Sequence, residues 1–405
     1  MKAMFFSFSP KSSILLIFFF HGIIFSTLLF LKGLQTENKS SLWLSLFTLL
    51  CALYIAPFMF GYAGWYSKAA YRDILFYTPF QQLLLLAPVL YFYFKTLLDK
   101  SFRFSKKDYI HFLPAALYLI YSIIVFLTDK VVLEEYYFYE NGKDKDFSTW
   151  YQIVGLLSLT YYLMQSLKTY NDYKTMTYNA ISFADSVMFL WAKRFLIAFL
   201  MLIAIRILFF IANPEWDEFG KKFWYYVCFS CLFYFVSISG YTNSVLSMTS
   251  FKDAQINSDT TLKLKMDDAI ETEKSFVGNN NLPEDKAEIP DLDIWKEKIE
   301  TLMLIDKLYE NPELVISDLS SNLGTHSKKI SQVINEGFNM NFNDFVNHYR
   351  TKALISKIEE GEHNIQTLLS LALECGFNSK STFNRAFKRS KSLSPKEYIE
   401  KYYSK

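Results

Sequence analysis

Two sets of polar side chains near the C-terminus carry the chemistry this sequence can offer, and that chemistry is recognition rather than catalysis. Ser381, Asn384 and Arg385 fall outside the apolar face that Phe383 and Phe387 mark at helical spacing, so they point away from a core. Asparagine and arginine can grip adenine and guanine edges in two-pronged fashion. Lys380 and Lys388 flank them, and together with Arg389, Lys391, Lys396, Lys401 and Lys405 they outnumber Glu397 and Glu400, giving a cationic surface suited to phosphates. Upstream, Lys328, Ser331 and Gln332 occupy the corresponding exposed face of another helix, with Lys329 and His326 nearby. That earlier set lacks arginine, which predicts a softer base preference. A charge run alone is as readily a solvated face, so the elements that hold these residues have to decide.

Those elements repeat. Leu368, Leu371, Ala372 and Cys375 fall at helical spacing, Gly376 allows the chain to turn, and Asn378 is placed to cap the helix that carries Phe383 and Phe387. In the first copy Leu319 and Leu323 line a support helix, Gly324 makes the corner, and Ile330, Val333 and Ile334 bury the following helix. Each copy predicts a helix-turn-helix. Asn343 to Ile358 reads as one connecting helix of roughly sixteen residues, about 24 Å long. Two such heads on a short rigid spacer can sit in successive major grooves, which recur about every 34 Å. Ser394-Pro395-Lys396-Glu397 supplies a cap, a first-turn proline and a capping-box glutamate for a closing helix.

The arrangement resembles the DNA-binding domain of the AraC family of bacterial transcription regulators. Matching features are Ala372 ahead of Cys375-Gly376-Phe377, the run Ser379 to Lys388, Ser394-Pro395 with Tyr398, Ile330-Ser331-Gln332-Val333-Ile334-Asn335, and Asn341-Phe342 with Phe345 and Tyr349-Arg350. The resemblance implies a double-stranded DNA partner and points to the same positions on both reading helices. Asn339 stands where the family commonly has glycine; asparagine tolerates a left-handed backbone, so the turn is expected to survive.

The rest of the chain is of another kind. Of 405 residues 51% are hydrophobic and 19% aromatic, and the excess lies before about Gly240, so the net charge of +2 averages two unlike halves. Ser12 to Leu31, Leu42 to Tyr62, Ile74 to Leu98, Tyr109 to Thr128, Trp150 to Tyr170, Val187 to Ile211 and Phe223 to Tyr241 read as membrane spans, the third interrupted by Pro79 and Pro88. No small-residue cleavage site follows the first, which favours a retained helix over a signal peptide. The expected fold class is all-α: a seven-helix transmembrane bundle followed by a cytoplasmic all-α domain with two helix-turn-helix motifs joined by a linker helix. The domains are a transmembrane sensor over 1–245, a flexible linker over 246–292 and the DNA-binding domain over 293–405. A head that binds DNA must be cytoplasmic, so seven spans put the N-terminus outside, and Lys100, Arg103, Lys106 and Lys107 then fall inside. The family resemblance implies a bacterial inner membrane as the location.

Polar residues within the spans are His21, Gln81, Gln82, Lys95, Gln165 and Arg206. Arg206, a turn and a half inside its helix, is either a structural tether between helices or part of a ligand or switch site. Cys228 and Cys231 form a CxxC that, without a second pair or a histidine cluster, reads as small packing residues rather than a redox or metal pair. Ile294 to Tyr309 looks like an amphipathic helix, with Ile294, Leu302, Ile305 and Leu308 apolar, that packs on the first head or pairs with a second copy of the chain. There is no HExxH, no GxSxG and no phosphate-cradling glycine loop, so no enzyme, catalytic residue, metal or cofactor is expected. The expected partners are double-stranded DNA, membrane lipid, a second copy forming a homodimer, and an unidentified small-molecule or membrane signal. The rival reading is a polytopic receptor or transporter whose cytoplasmic helical head is a protein-interaction adaptor.

Overall fold

The computed structural model describes residues 8–99, 101–140, 142–212, 221–253 and 291–403. The described residues form helices and one isolated antiparallel bridge, Ile181 to Val315. Most of the predicted linker lies outside the described residues. The described chain falls into two compact units, one drawn from Met1–Tyr170 and Leu190–Thr249, the other from Asn171–Phe189 and Ser250–Lys405.

The first unit contains α1 (Pro10–Gln35), α2 (Lys39–Tyr62), α3 (Ala69–Tyr77), α4 (Leu83–Leu98), α5 (Leu113–Leu127), the larger part of α6 (Thr149–Ala180), α8 (Leu190–Ala212) and the larger part of α9 (Phe223–Asp253). Ser9 caps α1 by accepting from the Ser12 amide, with Pro10 in the first turn, and Asn38 caps α2. Among the described residues, four helical runs are long and apolar enough to cross a membrane: Pro10–Gln35, Lys39–Tyr62, Lys106–Val132 and Phe223–Thr242. They coincide with the first, second, fourth and seventh predicted spans. The fifth lies within α6, and the sixth, expected from Val187, is helical in α8 only from Leu190.

The third predicted span, Ile74 to Leu98, is corrected: the helix stops at Tyr77 and restarts at Leu83. Pro79 supplies no amide, and neighbouring side chains take up the freed backbone groups. The Gln81 amide donates to Asp146 Oδ2 at 3.1 Å, the Leu83 amide donates to the Tyr151 hydroxyl at 3.2 Å, and that hydroxyl donates to the Gln81 carbonyl.

This unit exposes many large apolar side chains while burying a few polar ones in a mainly apolar interior. Gln81, Gln152 and Asp146 are buried, whereas Ile17, Ile24, Leu117, Ile120, Ile123 and Leu208 are exposed. Arg206 donates to the Tyr54 hydroxyl and to Gln152 Oε1, both at 2.9 Å, and lies over the Tyr225 ring. It therefore ties α8 to α2 and α6, the tether of the two readings above. His21 meets Ser237 Oγ at 2.7 Å, Lys95 lies over the Phe102 ring, and Gln82 and Gln165 bond within their own segments. Cys228 and Cys231, read as small packing residues of a membrane helix, are exposed on α9, where their spacing puts them together on the helix's outer face.

The second unit contains α7 (Ala184–Val187), α10 (Leu292–Leu304), α11 (Ile316–Asn322), α12 (Ser327–Gly337), α13 (Phe342–Glu359), α14 (Leu368–Glu374), α15 (Lys380–Lys391) and α16 (Pro395–Tyr402). It has two main cores. Ile299, Met303, Leu319, Ile330, Val333, Ile334, Phe345 and Val346 form one, and Leu354, Ile358, Leu371, Phe377, Phe383 and Phe387 form the other. α13 contributes to both and so joins them. α10 packs on the first core, as one of its two readings required, but it ends at Leu304, and Lys307 turns left-handed at φ 50°. Ile294 and Ile305, expected on its apolar side, are exposed; Ile299 and Met303 are the residues it buries.

Caps fix where the helices begin. The Ser394 amide donates to Glu397 Oε2 at 2.7 Å and the Glu397 amide returns to Ser394 Oγ at 3.2 Å, the expected capping box. For α15 the cap is Ser379, which accepts from the Thr382 amide at 3.2 Å, and not Asn378. Ser379 has the extended backbone a cap requires, at φ −159° and ψ 153°, one residue beyond the expected position. Replacing Ser379 with alanine is therefore expected to lower the stability of this unit by about 1 kcal/mol. Thermal melts of the two single variants check this, with Asn378→Ala leaving the cap intact.

Candidate nucleic-acid interface

Each pair of helices is built around a left-handed glycine. Gly324 (φ +60°) separates α11 from α12 and Gly376 (φ +88°) separates α14 from α15. Asn339 takes φ 54° between α12 and α13, the conformation expected of it. α13 has 18 residues, about 27 Å of helix between the two pairs.

On α15 the buried side is Thr382, Phe383 and Phe387. Lys380, Ser381, Asn384, Arg385 and Lys388 are all exposed, as their spacing required. Lys388, Arg389 and Lys391 lie in the last turn of α15, where the helix dipole favours cations.

α12 agrees less well. Lys328 is exposed, and Gln332 is half-buried and donates to Glu336 Oε1 at 3.1 Å. Lys329 places its ammonium 4.0 Å over the Trp295 ring of α10. Ser331, expected on the exposed face, is only 6% accessible. It sits between Ile330 and Val333–Ile334 at the edge of the apolar stripe, and a side chain so short does not clear its neighbours.

The two sets of contacts that hold the second unit together were not legible from the motif. Arg350 of α13 is fully buried and donates five hydrogen bonds: to the carbonyls of Tyr309 (2.8 Å), Asn311 (2.7 Å) and Ser182 (3.4 Å), to Ser182 Oγ (3.1 Å) and to Asn347 Oδ1 (3.2 Å). Burial pulls its guanidinium down to about 9, which still leaves it charged at neutral pH. Asn343 Nδ2 donates to the same Ser182 carbonyl at 2.7 Å, and the Ser182 amide donates to the Leu314 carbonyl at 3.1 Å. The second set is on the exposed side. Arg385 is ion-paired with Asp185, its Nε donating to Oδ2 at 3.0 Å, and its Nη2 donates to the Tyr178 hydroxyl at 3.3 Å. No local sequence signal marks Tyr178, Ser182 or Asp185, because their partners lie far along the chain.

Residues 319–401 match the family model described as a helix-turn-helix domain. No curated protein and no solved structure matches the chain. The matched stretch covers both glycine corners, α13 and α15, and it suggests DNA-binding transcription regulation.

Proposed function

We propose that the chain is a membrane-embedded one-component transcription regulator of the AraC type, which binds specific duplex DNA through two helix-turn-helix elements in response to a membrane or extracytoplasmic signal. The observation that carries the reading is the outward set Ser381, Asn384 and Arg385 on α15, within the matched domain and beside a cationic last turn. α12 presents Lys328, Lys329 and Gln332 in the corresponding role, and Lys380 and Lys388 serve phosphates. Ser331 supports its helix from the edge of the core.

Support for the membrane reading is the apolar exterior of the first unit, with the polar Gln81, Gln152 and Asp146 buried and hydrogen-bonded. On this reading α4, α6 and α8 cross the membrane together with the four apolar runs, seven crossings in all, and the DNA-binding domain lies on the cytoplasmic side of a bacterial inner membrane. Signal binding shifts the balance between two arrangements of the chain and so changes occupancy of the operator. Pairing of two copies would raise apparent affinity without any new contact.

Crosslinking the full-length protein to DNA in cells and sequencing the recovered fragments tests this. Discrete enriched sites are expected. In binding assays on one such site, Arg385→Ala is expected to cost about 1–3 kcal/mol, roughly five- to 150-fold, and to relax preference at one base pair. Recovery of DNA no better than a membrane protein without such a domain would overturn the reading.

A further inference from the structure

Residues Asn171–Phe189 belong by sequence between α6 and α8, yet they are part of the second unit. Their contacts there are of two kinds. The root of the segment is set into the wall of the unit: Ile181 bridges to Val315, Ser182 bonds to Leu314, Asn343 and Arg350, and Ala180, Ile181, Phe183, Ala184 and Val315 form a buried apolar cluster. Its tip reaches the polar side of α15. Asp185 is ion-paired with Arg385 and accepts from the Tyr178 hydroxyl, and Ser186 Oγ accepts from Asn378 Nδ2 at 2.9 Å.

We infer that the tip of this segment is a clamp that competes with DNA for Arg385. The inference rests on the reading of α15 as a DNA-reading helix. A guanidinium bound through Nε and Nη2 to a carboxylate has used the edge that would grip a guanine, and the same carboxylate repels a phosphate backbone brought near it. Asp185 is well placed to act as the fixed jaw, because its side chain is 10% exposed and oriented by Tyr178, whereas that of Arg385 is 42% exposed and can swing away. Swinging Arg385 away breaks its bonds to Asp185 and Tyr178 and leaves the bonds of Ser182 to Arg350 and Asn343 in place. Because the segment is continuous in sequence with α6 and α8, a change in either helix has a covalent route to the clamp. DNA and the clamp are then mutually exclusive ligands of one side chain, and each weakens the other by the same factor.

The test uses the full-length chain in lipid nanodiscs and, as probe, a fluorescent duplex recovered from the crosslinking experiment. Asp185→Asn is expected to tighten binding roughly three- to tenfold, and Tyr178→Phe by less, with the gain largest at low salt. In the Arg385→Ala background the Asp185→Asn gain is expected to vanish, a result that a general loosening of the unit would not give. If Asp185→Asn binds as the parent or more weakly while Arg385→Ala still loses affinity, the clamp is wrong and the DNA reading stands. If neither parent nor variants hold any duplex, both fall. Should Asp185→Asn misfold, Tyr178→Phe and Ser186→Ala, each removing a single polar atom or bond at the tip, carry the same comparison.

Discussion

Replacing Arg350 with alanine is expected to unfold the second unit, or to leave it without fixed packing. The side chain is among the largest fully buried ones in the molecule, and its five hydrogen bonds end on oxygens from three separate stretches: Ser182, the Tyr309 to Asn311 turn, and Asn347 of its own helix. Truncation strands those buried acceptors, at about 1–3 kcal/mol for each that water cannot reach, and adds a cavity. A total of roughly 4 kcal/mol or more would exceed half the stability of many domains. Arg350→Met separates the two causes, since it fills most of the volume and restores no donor. Hydrogen exchange of the full-length protein, followed over residues 308–350, checks both. If the methionine variant is as protected as the parent, the hydrogen bonds contribute less than packing does.

The second large effect is expected at one glycine corner and not at the other. Gly376 has φ +88°, and a Cβ there would meet the Glu310 carbonyl oxygen at 2.8 Å and the Tyr309 carbonyl oxygen closer still. Both are backbone atoms of the turn that Arg350 also holds, so they cannot yield independently. Gly376→Ala is therefore expected to cost roughly 2–5 kcal/mol, left-handed strain plus overlap. Gly324 has φ +60° with nothing within 4 Å of its Cβ position, so Gly324→Ala meets strain alone, about 1–2 kcal/mol. Thermal melts of the two variants decide it: equal losses would mean that the Tyr309 to Glu310 turn relaxes freely.

The C-terminal fold was legible because its instructions are local. A glycine corner, an apolar pair at helical spacing and Ser394 with Glu397 three residues on are each read within one or two turns of chain, and Gly324, Gly376, Asn339 and the capping box stand as their residue types require. Ser331 was expected on the exposed face and the cap of α15 one residue too early, because the edge of an apolar stripe and the first residue of a helix depend on neighbours that periodicity does not describe. The break in the third apolar run carried a visible signal in Pro79, but its rescue by Asp146 and Tyr151 comes from 65 and 70 positions away. The role of Asn171–Phe189 carried no signal at all. A polar stretch between two apolar runs reads as a connection, and nothing in it states that Ser182 has partners 161 and 168 positions later.

That separation has a consequence for the protein's birth. Ile181 leaves the ribosome well before Val315, the residue it will lie beside, and at about 5–20 residues per second the wait is roughly 7–27 s. Throughout that interval Ile181, Phe183 and Ala184, all buried in the finished chain, have no cover from the unit that is to receive them. The nascent chain thus presents a sticky strip for seconds, so its safe manufacture depends on what shields that strip until the last quarter of the polypeptide arrives.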